Sequence, residues 1–156
     1  MYFINFFGRA LAGALQLPIW FDSLGTCLAA YYTNIYGALT AAVAINIIAG
    51  TWNPIFYAYI IVGIILACAF RLSVKRGYMD ALTPAMIFSF VAGVITVIAA
   101  TPLDVIFNNG YTGNMWGDAL YEMLSFKGYP SAICTLADES IINIIDKQTC
   151  VLWHIR

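Results

Sequence analysis

The sequence predicts an all-α integral membrane protein, a bundle of about six transmembrane helices, some of them short, with both termini cytoplasmic. Two observations carry that fold class. Apolar residues make up 62% of the 156 positions and charged residues only 10%, against about 25% charged in an ordinary soluble domain. At about 20 residues per crossing plus short loops, this length admits five or six helices in one domain and leaves no room for a separate soluble one. The second observation is the last segment, 131–155, which is long enough to cross a bilayer yet holds Asp138, Glu139, Asp146 and Lys147. At 100° per residue Glu139, Asn143, Asp146, Lys147, Cys150 and His154 share one sector, while Ile141, Ile144, Ile145, Val151, Leu152 and Ile155 cover the other side. Charges inside a span mark function. The alternative is an amphipathic helix lying on the membrane surface.

The remaining segments follow from apolar runs and their breakers. Residues 1–17 form the first, closed by Pro18; 21–33 and 36–50 are the second and third, short for a crossing. The turn-forming run Thr51-Trp52-Asn53-Pro54 opens the fourth, 54–70. The fifth is 80–101, with Asp80 as N-cap, Pro84 in the first turn and Pro102 stopping the helix. Nothing at the N-terminus has the basic region of a cleaved signal.

Arg71, Lys75 and Arg76 crowd the loop between the fourth and fifth segments, which assigns it to the cytoplasm. The stretch 102–130, where Lys127 is the sole base, is then external. Its turn-rich run from Asn108 to Gly117 carries Tyr111 and Trp116, and Ala119, Leu120, Met123 and Leu124 follow with helical spacing. It reads either as a lid over an outward-facing site or as an interfacial connector.

Within the first segment Asn5, Arg9 and Gln16 make a polar line, and Arg9 needs a carboxylate, with Asp22, Glu139 and Asp146 as candidates. An Arg9–Asp146 ion pair locking the first helix to the last is the structural reading. Gly8/Ala12 and Ala10/Ala14 place small residues four apart, which lets another helix approach closely.

Enzyme chemistry finds no support. There is one histidine, no Cys-x-x-Cys, no His-Glu-x-x-His and no glycine-rich phosphate loop, and Cys27, Cys68, Cys134 and Cys150 lack metal-ligand spacing. His154 suits a helix C-terminus. No cofactor, no metal and no enzymatic activity are expected, and with a net charge of −1 and no basic run, no nucleic acid either.

The run Leu17-Pro18-Ile19-Trp20-Phe21-Asp22-Ser23-Leu24-Gly25-Thr26, continuing into Ala29-Ala30 and Tyr36-Gly37-Ala38, resembles the substrate-binding S components of energy-coupling factor (ECF) transporters. Gly110-Tyr111-Thr112-Gly113 with Asp118, and Ile145-Asp146-Lys147, resemble the same group and the related membrane domains of some bacterial sensor kinases. Thr33-Asn34-Ile35-Tyr36 stands where that family usually has a Gly-Pro turn. The resemblance implies a multi-pass protein of the bacterial cytoplasmic membrane that captures a vitamin or similar micronutrient from outside and docks on a transmembrane coupling subunit driven by two ATPase subunits. It also implies docking through Ala10 and Ala14. The alternative is a membrane sensor domain; with the chain ending just past its last helix, no output domain is expected, which favours transport. Glu139, Asn143, Tyr111, Trp116 and Asp22 are the candidate ligand-binding residues, Glu139 foremost because it lies on the stripe and Asp138 about 100° away from it.

Overall fold

The computed structural model describes residues 2–21 and 23–154, the side chains of Tyr2, Trp153 and His154 excepted. Asp22, one of the candidate ligand residues, lies outside the described residues. Among those residues the chain is all-helical: α1 (Tyr2–Ala14), α2 (Leu24–Tyr32), α3 (Ile35–Gly50), a 3-10 turn (Pro54–Tyr57), α4 (Ile60–Lys75), α5 (Leu82–Phe107), α6 (Met115–Phe126) and α7 (Ser131–His154). By length and composition one of these, Leu82–Phe107, is long and apolar enough to cross a membrane, and Ile35–Gly50 is a shorter apolar helix.

Several boundaries differ from the sequence expectation, each for a local reason. Pro102 does not stop the fifth helix but lies inside it. A proline removes one backbone bond and crowds the preceding turn, yet Pro102 is exposed, so its ring displaces no core side chain and the helix runs on to Phe107. The same helix starts with Ala81, not Asp80, as its N-cap residue. The fourth segment divides into the 3-10 turn, capped by Asn53 Oδ1 on the Ile55 amide at 3.2 Å, and a helix that continues through Arg71 and Lys75. Arg71 thereby reaches α2, where its Nη1 donates to the Ala30 carbonyl at 2.8 Å and satisfies one of that helix's terminal acceptors. At the Thr33–Asn34 turn the Asn34 side chain accepts from the Gly37 amide at 3.0 Å, an N-cap that starts α3 without a Gly-Pro pair.

α5 and α7 run antiparallel. In the α5–α7 pair Gln148 Nε2 donates to the Met86 carbonyl at 3.1 Å, Gly93 faces Ile144, and Thr135 Oγ1 donates to the Gly110 carbonyl at 2.9 Å. A Cβ on Gly93 would stand 3.2 Å from the Ile144 Cα, so the two backbones touch where that side chain is missing. A buried cluster of Cys27, Ala38, Ala67, Phe70, Ala85, Ala92, Cys150 and Val151 joins α2, α3, α4, α5 and α7 at one end of the bundle. Val151, expected on the outer side of the last helix, is fully buried there, because α7 is enclosed on more than one face near its C-terminus.

The first helix divides its small residues between two faces. Gly8 sits against Phe21, and Ala12 is 2% exposed. Ala10 and Ala14 are exposed, on the same side as Phe7 and Leu11.

Candidate functional site: a polar cavity between the helices

The buried side chains cluster as apolar groups at one end of the bundle and as polar groups at the other. A cavity of about 370 Å³ opens between the helices. One wall is the α7 ladder Glu139, Asn143 and Lys147, four residues apart and therefore stacked on one face. Lys147 Nζ donates to Asn143 Oδ1 at 3.2 Å, and Asn143 Nδ2 donates to the Glu139 carboxylate. The opposite wall comes from Ile45 and Asn46 of α3 and from Asn53, Phe56 and Tyr59 around the 3-10 turn. Thr96, Ala100 and Asn108 of α5 close a third side, and Arg9 with Trp20 a fourth.

Asp146 does not line the cavity; it fixes the floor. Fully buried, it accepts the Phe21 amide at 2.8 Å and the Ser23 hydroxyl at 2.6 Å with separate oxygens, and Lys147 Nζ lies 2.9 Å from Oδ2. The conspicuous run at 21–26 is thereby anchored to α7. From the other side Asn5, also fully buried, accepts from the Gly25 amide and donates to Thr26 Oγ1 at 3.1 Å. Ser23 caps α2 by position without a side-chain bond to it, and the Asn5 carbonyl oxygen satisfies the free N–H of the first turn instead.

That geometry corrects the expected Arg9–Asp146 ion pair. The cation on Asp146 is Lys147, its sequence neighbour, while the Arg9 guanidinium lies 4.0 Å from the Phe56 ring centroid and 5.1 Å from that of Trp20. A guanidinium over two rings keeps its charge stabilised by their π-faces, and Arg9 belongs to the cavity wall.

Asn108, Tyr111, Thr112 and Gly113 cover one side of the cavity, and α6 follows them and packs on α7. Asp118 Oδ1 gathers the amides of Thr112 and Gly113 at 3.0 and 3.1 Å, and Thr112 Oγ1 donates to Asp138 Oδ1 at 3.0 Å. Gly110 and Gly113 take φ of +91° and +79°, the left-handed conformation that glycine adopts without strain. Gly117 lets α6 settle directly on Asp138. Two bonds then tie this cover to the end of α1: Asn114 Nδ2 donates to the Leu17 carbonyl at 3.1 Å and Trp116 Nε1 to the Gln16 carbonyl at 2.8 Å.

The candidate ligand residues therefore separate. Glu139, Asn143 and Tyr111 line the cavity. Trp116 does not: 55% exposed, it spends its one donor on Gln16, because Gly117 faces α7 and turns the preceding side chain toward α1. Lys147, Arg9, Trp20, Phe56, Tyr59 and the asparagines at 46, 53 and 108 add to the polar and aromatic lining, and none of them is among the expected ligand contacts. Lys147 and Arg9 carried a signal, a charge within an apolar segment. Asn46, Asn53 and Tyr59 are single polar or aromatic positions near helix ends and carried none. No family model, no curated protein and no solved structure matches this chain.

Proposed function

We propose that the chain is the substrate-binding membrane subunit of an ECF-type uptake transporter for a vitamin or similar micronutrient. It would lie in the bacterial cytoplasmic membrane as a six-span bundle and pass its ligand to a coupling subunit driven by two ATPase subunits. The observation that carries the reading is an inside-out distribution of polarity. Asn5, Asp104, Asp138 and Asp146 are fully buried, while Phe3, Phe7, Ile61, Ile87, Ile98 and Ile106 are between 63% and 84% exposed. Lipid accepts that surface and water does not.

The short helices are compatible with crossing. The 13 residues of α1 span about 20 Å and the 9 of α2 about 14 Å, less than the roughly 30 Å of a hydrocarbon core. Non-helical backbone extends the second crossing, but Asp146 satisfies Phe21 and Ser23 there, and irregular backbone at membrane depth is tolerated where protein buries it. The cavity volume falls within the ~300–1,000 Å³ of small-molecule sites, and aromatic walls with a few placed polar groups suit such a ligand.

Two expected results test the reading. With Arg71, Lys75 and Arg76 cytoplasmic, a cysteine at Lys75→Cys should resist an impermeant maleimide in intact cells and react after permeabilisation; labelling from outside contradicts the topology. Replacing both Ala10 and Ala14 by tryptophan should abolish co-purification with the coupling subunit while leaving the fold intact, since neither side chain is part of the core. Undiminished assembly of that double variant removes the docking role.

A further inference from the structure

The charged groups of the cavity wall are already matched within the protein. Lys147 is held by Asp146 and Asn143, and the Arg9 guanidinium lies over Phe56 and Trp20. Glu139 takes Asn143 Nδ2 on its Oε2 and hydrogen-bonds the carboxyl group of Asp104. Two carboxyl groups in such contact share a proton, so this wall calls for no cation.

Three asparagines of the wall differ, because each uses only one end of its amide. Asn46 on α3 donates Nδ2 to the Ala42 carbonyl of its own helix at 3.0 Å, and that acceptor fixes which end is nitrogen and leaves Oδ1 open. Asn53 is reversed: its Oδ1 takes the Ile55 amide at 3.2 Å, and Nδ2 is open. Asn108 gives Nδ2 to Asp104 Oδ1 at 3.1 Å and keeps its own Oδ1. Among the described residues no other group bonds these three ends. The wall therefore offers two carbonyl oxygens and one amide NH2 group, none of them charged. Gly63 makes room for the first of them, since a Cβ there would stand 3.1 Å from Asn46 Nδ2. Ile45, Val62, Leu66 and Ala100 supply apolar wall, and a few placed polar groups on such a wall orient a small ring.

We infer that Asn46, Asn53 and Asn108 set the specificity of the cavity and select an uncharged ring that carries two N–H donors and a carbonyl acceptor, as a cyclic ureide does. The two N–H groups meet the Asn46 and Asn108 oxygens, and the carbonyl meets Asn53 Nδ2. A cation gains no counter-charge there, and an isostere that lacks one N–H leaves an amide oxygen unmatched. The inference rests on the cavity being a ligand site.

Benzimidazolone has two N–H groups flanking a carbonyl; benzoxazolone replaces one N–H by oxygen at nearly the same shape, and protonated 2-aminobenzimidazole replaces the carbonyl and adds a positive charge. Their binding to the purified protein in nanodiscs, with empty nanodiscs subtracted, should rank benzimidazolone first, at least about fivefold tighter than either of the others. Asn46→Leu removes one acceptor at similar size and should bring the benzimidazolone-to-benzoxazolone ratio close to one, whereas a loss of packing alone weakens both ligands alike and leaves the ratio. Where Asn46→Leu fails to fold, Asn46→Ala, which removes the same acceptor, takes its place. A wild-type ratio near one, the cation binding tightest, or an unchanged ratio in a folded Asn46 variant overturns the asparagine assignment while the cavity stands as a ligand site. If none of the three compounds binds, the reading of the cavity as a ligand site fails first and the inference falls with it.

Discussion

Replacing Asp146 with alanine should destabilise the detergent-purified protein by about 3–5 kcal/mol, the cost of leaving a buried charge without its partner. Asp146 is fully buried and holds three groups at once: the Phe21 amide, the Ser23 hydroxyl and the Lys147 ammonium. Alanine removes the acceptor that each of them uses, and Lys147 is only 3% exposed. Asparagine keeps one acceptor for the amide or the hydroxyl, so Asp146→Asn should fall between alanine and wild type. The double variant Asp146→Ala with Lys147→Met should recover part of the loss, because it removes the charge together with its counter-ion. Denaturant unfolding of the four proteins gives the comparison. A loss below about 1 kcal/mol in Asp146→Ala, the range of an exposed ion pair, would show that Lys147 reaches water.

The second large effect is expected at Gly93. A leucine there would bring its Cβ to 3.2 Å from the Cα and Cγ1 of Ile144 and 3.6 Å from the Asn143 carbonyl oxygen, and two of those three atoms are backbone. Backbone does not turn aside as a side-chain end does, so α7 must shift. Overpacking of this kind costs about 1–3 kcal/mol, sometimes more. The displaced segment carries Asn143, the middle rung of the cavity ladder, so ligand binding should fall along with stability. Gly13→Leu is the control. A Cβ at Gly13 meets nothing within 4 Å, and exchange of a helical glycine should be neutral or stabilise by up to about 1 kcal/mol. Equal melting temperatures for the two variants would mean that the α5–α7 contact is looser than its geometry indicates.

The last helix was legible because its signal is periodic. Glu139, Asn143 and Lys147 recur at four-residue spacing, which is a property of the sequence before any folding. Partner choice was less legible. Charge alone pairs Arg9 with Asp146, but Lys147 is adjacent to that carboxylate and two rings are in reach of the guanidinium, neither of which spacing reveals. Trp116 and Tyr111 share one turn-rich run in the sequence, but the start of α6 at Met115 rotates them apart. Asp104 was lost with Pro102. Read as a stop, that proline left Asp104 in an external loop, whereas an exposed proline within a well-packed helix costs the ladder one bond and leaves the next turn intact. The far wall was invisible for another reason: Asn46, Asn53 and Tyr59 become a site only when α3 and α4 fold back on each other at the 3-10 turn.

Above all, the cavity walled by Glu139, Asn143 and Lys147 is expected to hold a small molecule. Native mass spectrometry of the protein released from its own membranes tests it, with Thr96→Phe as the comparison. Thr96 lines the cavity, and its hydroxyl bonds only to the Ala92 carbonyl of its own helix at 2.8 Å, so phenylalanine fills space without orphaning a partner on another element. The wild-type protein should carry a bound mass of ligand size that Thr96→Phe has lost while remaining folded. The same bound mass at the same occupancy in both proteins, or no adduct on the wild type, would contradict the account.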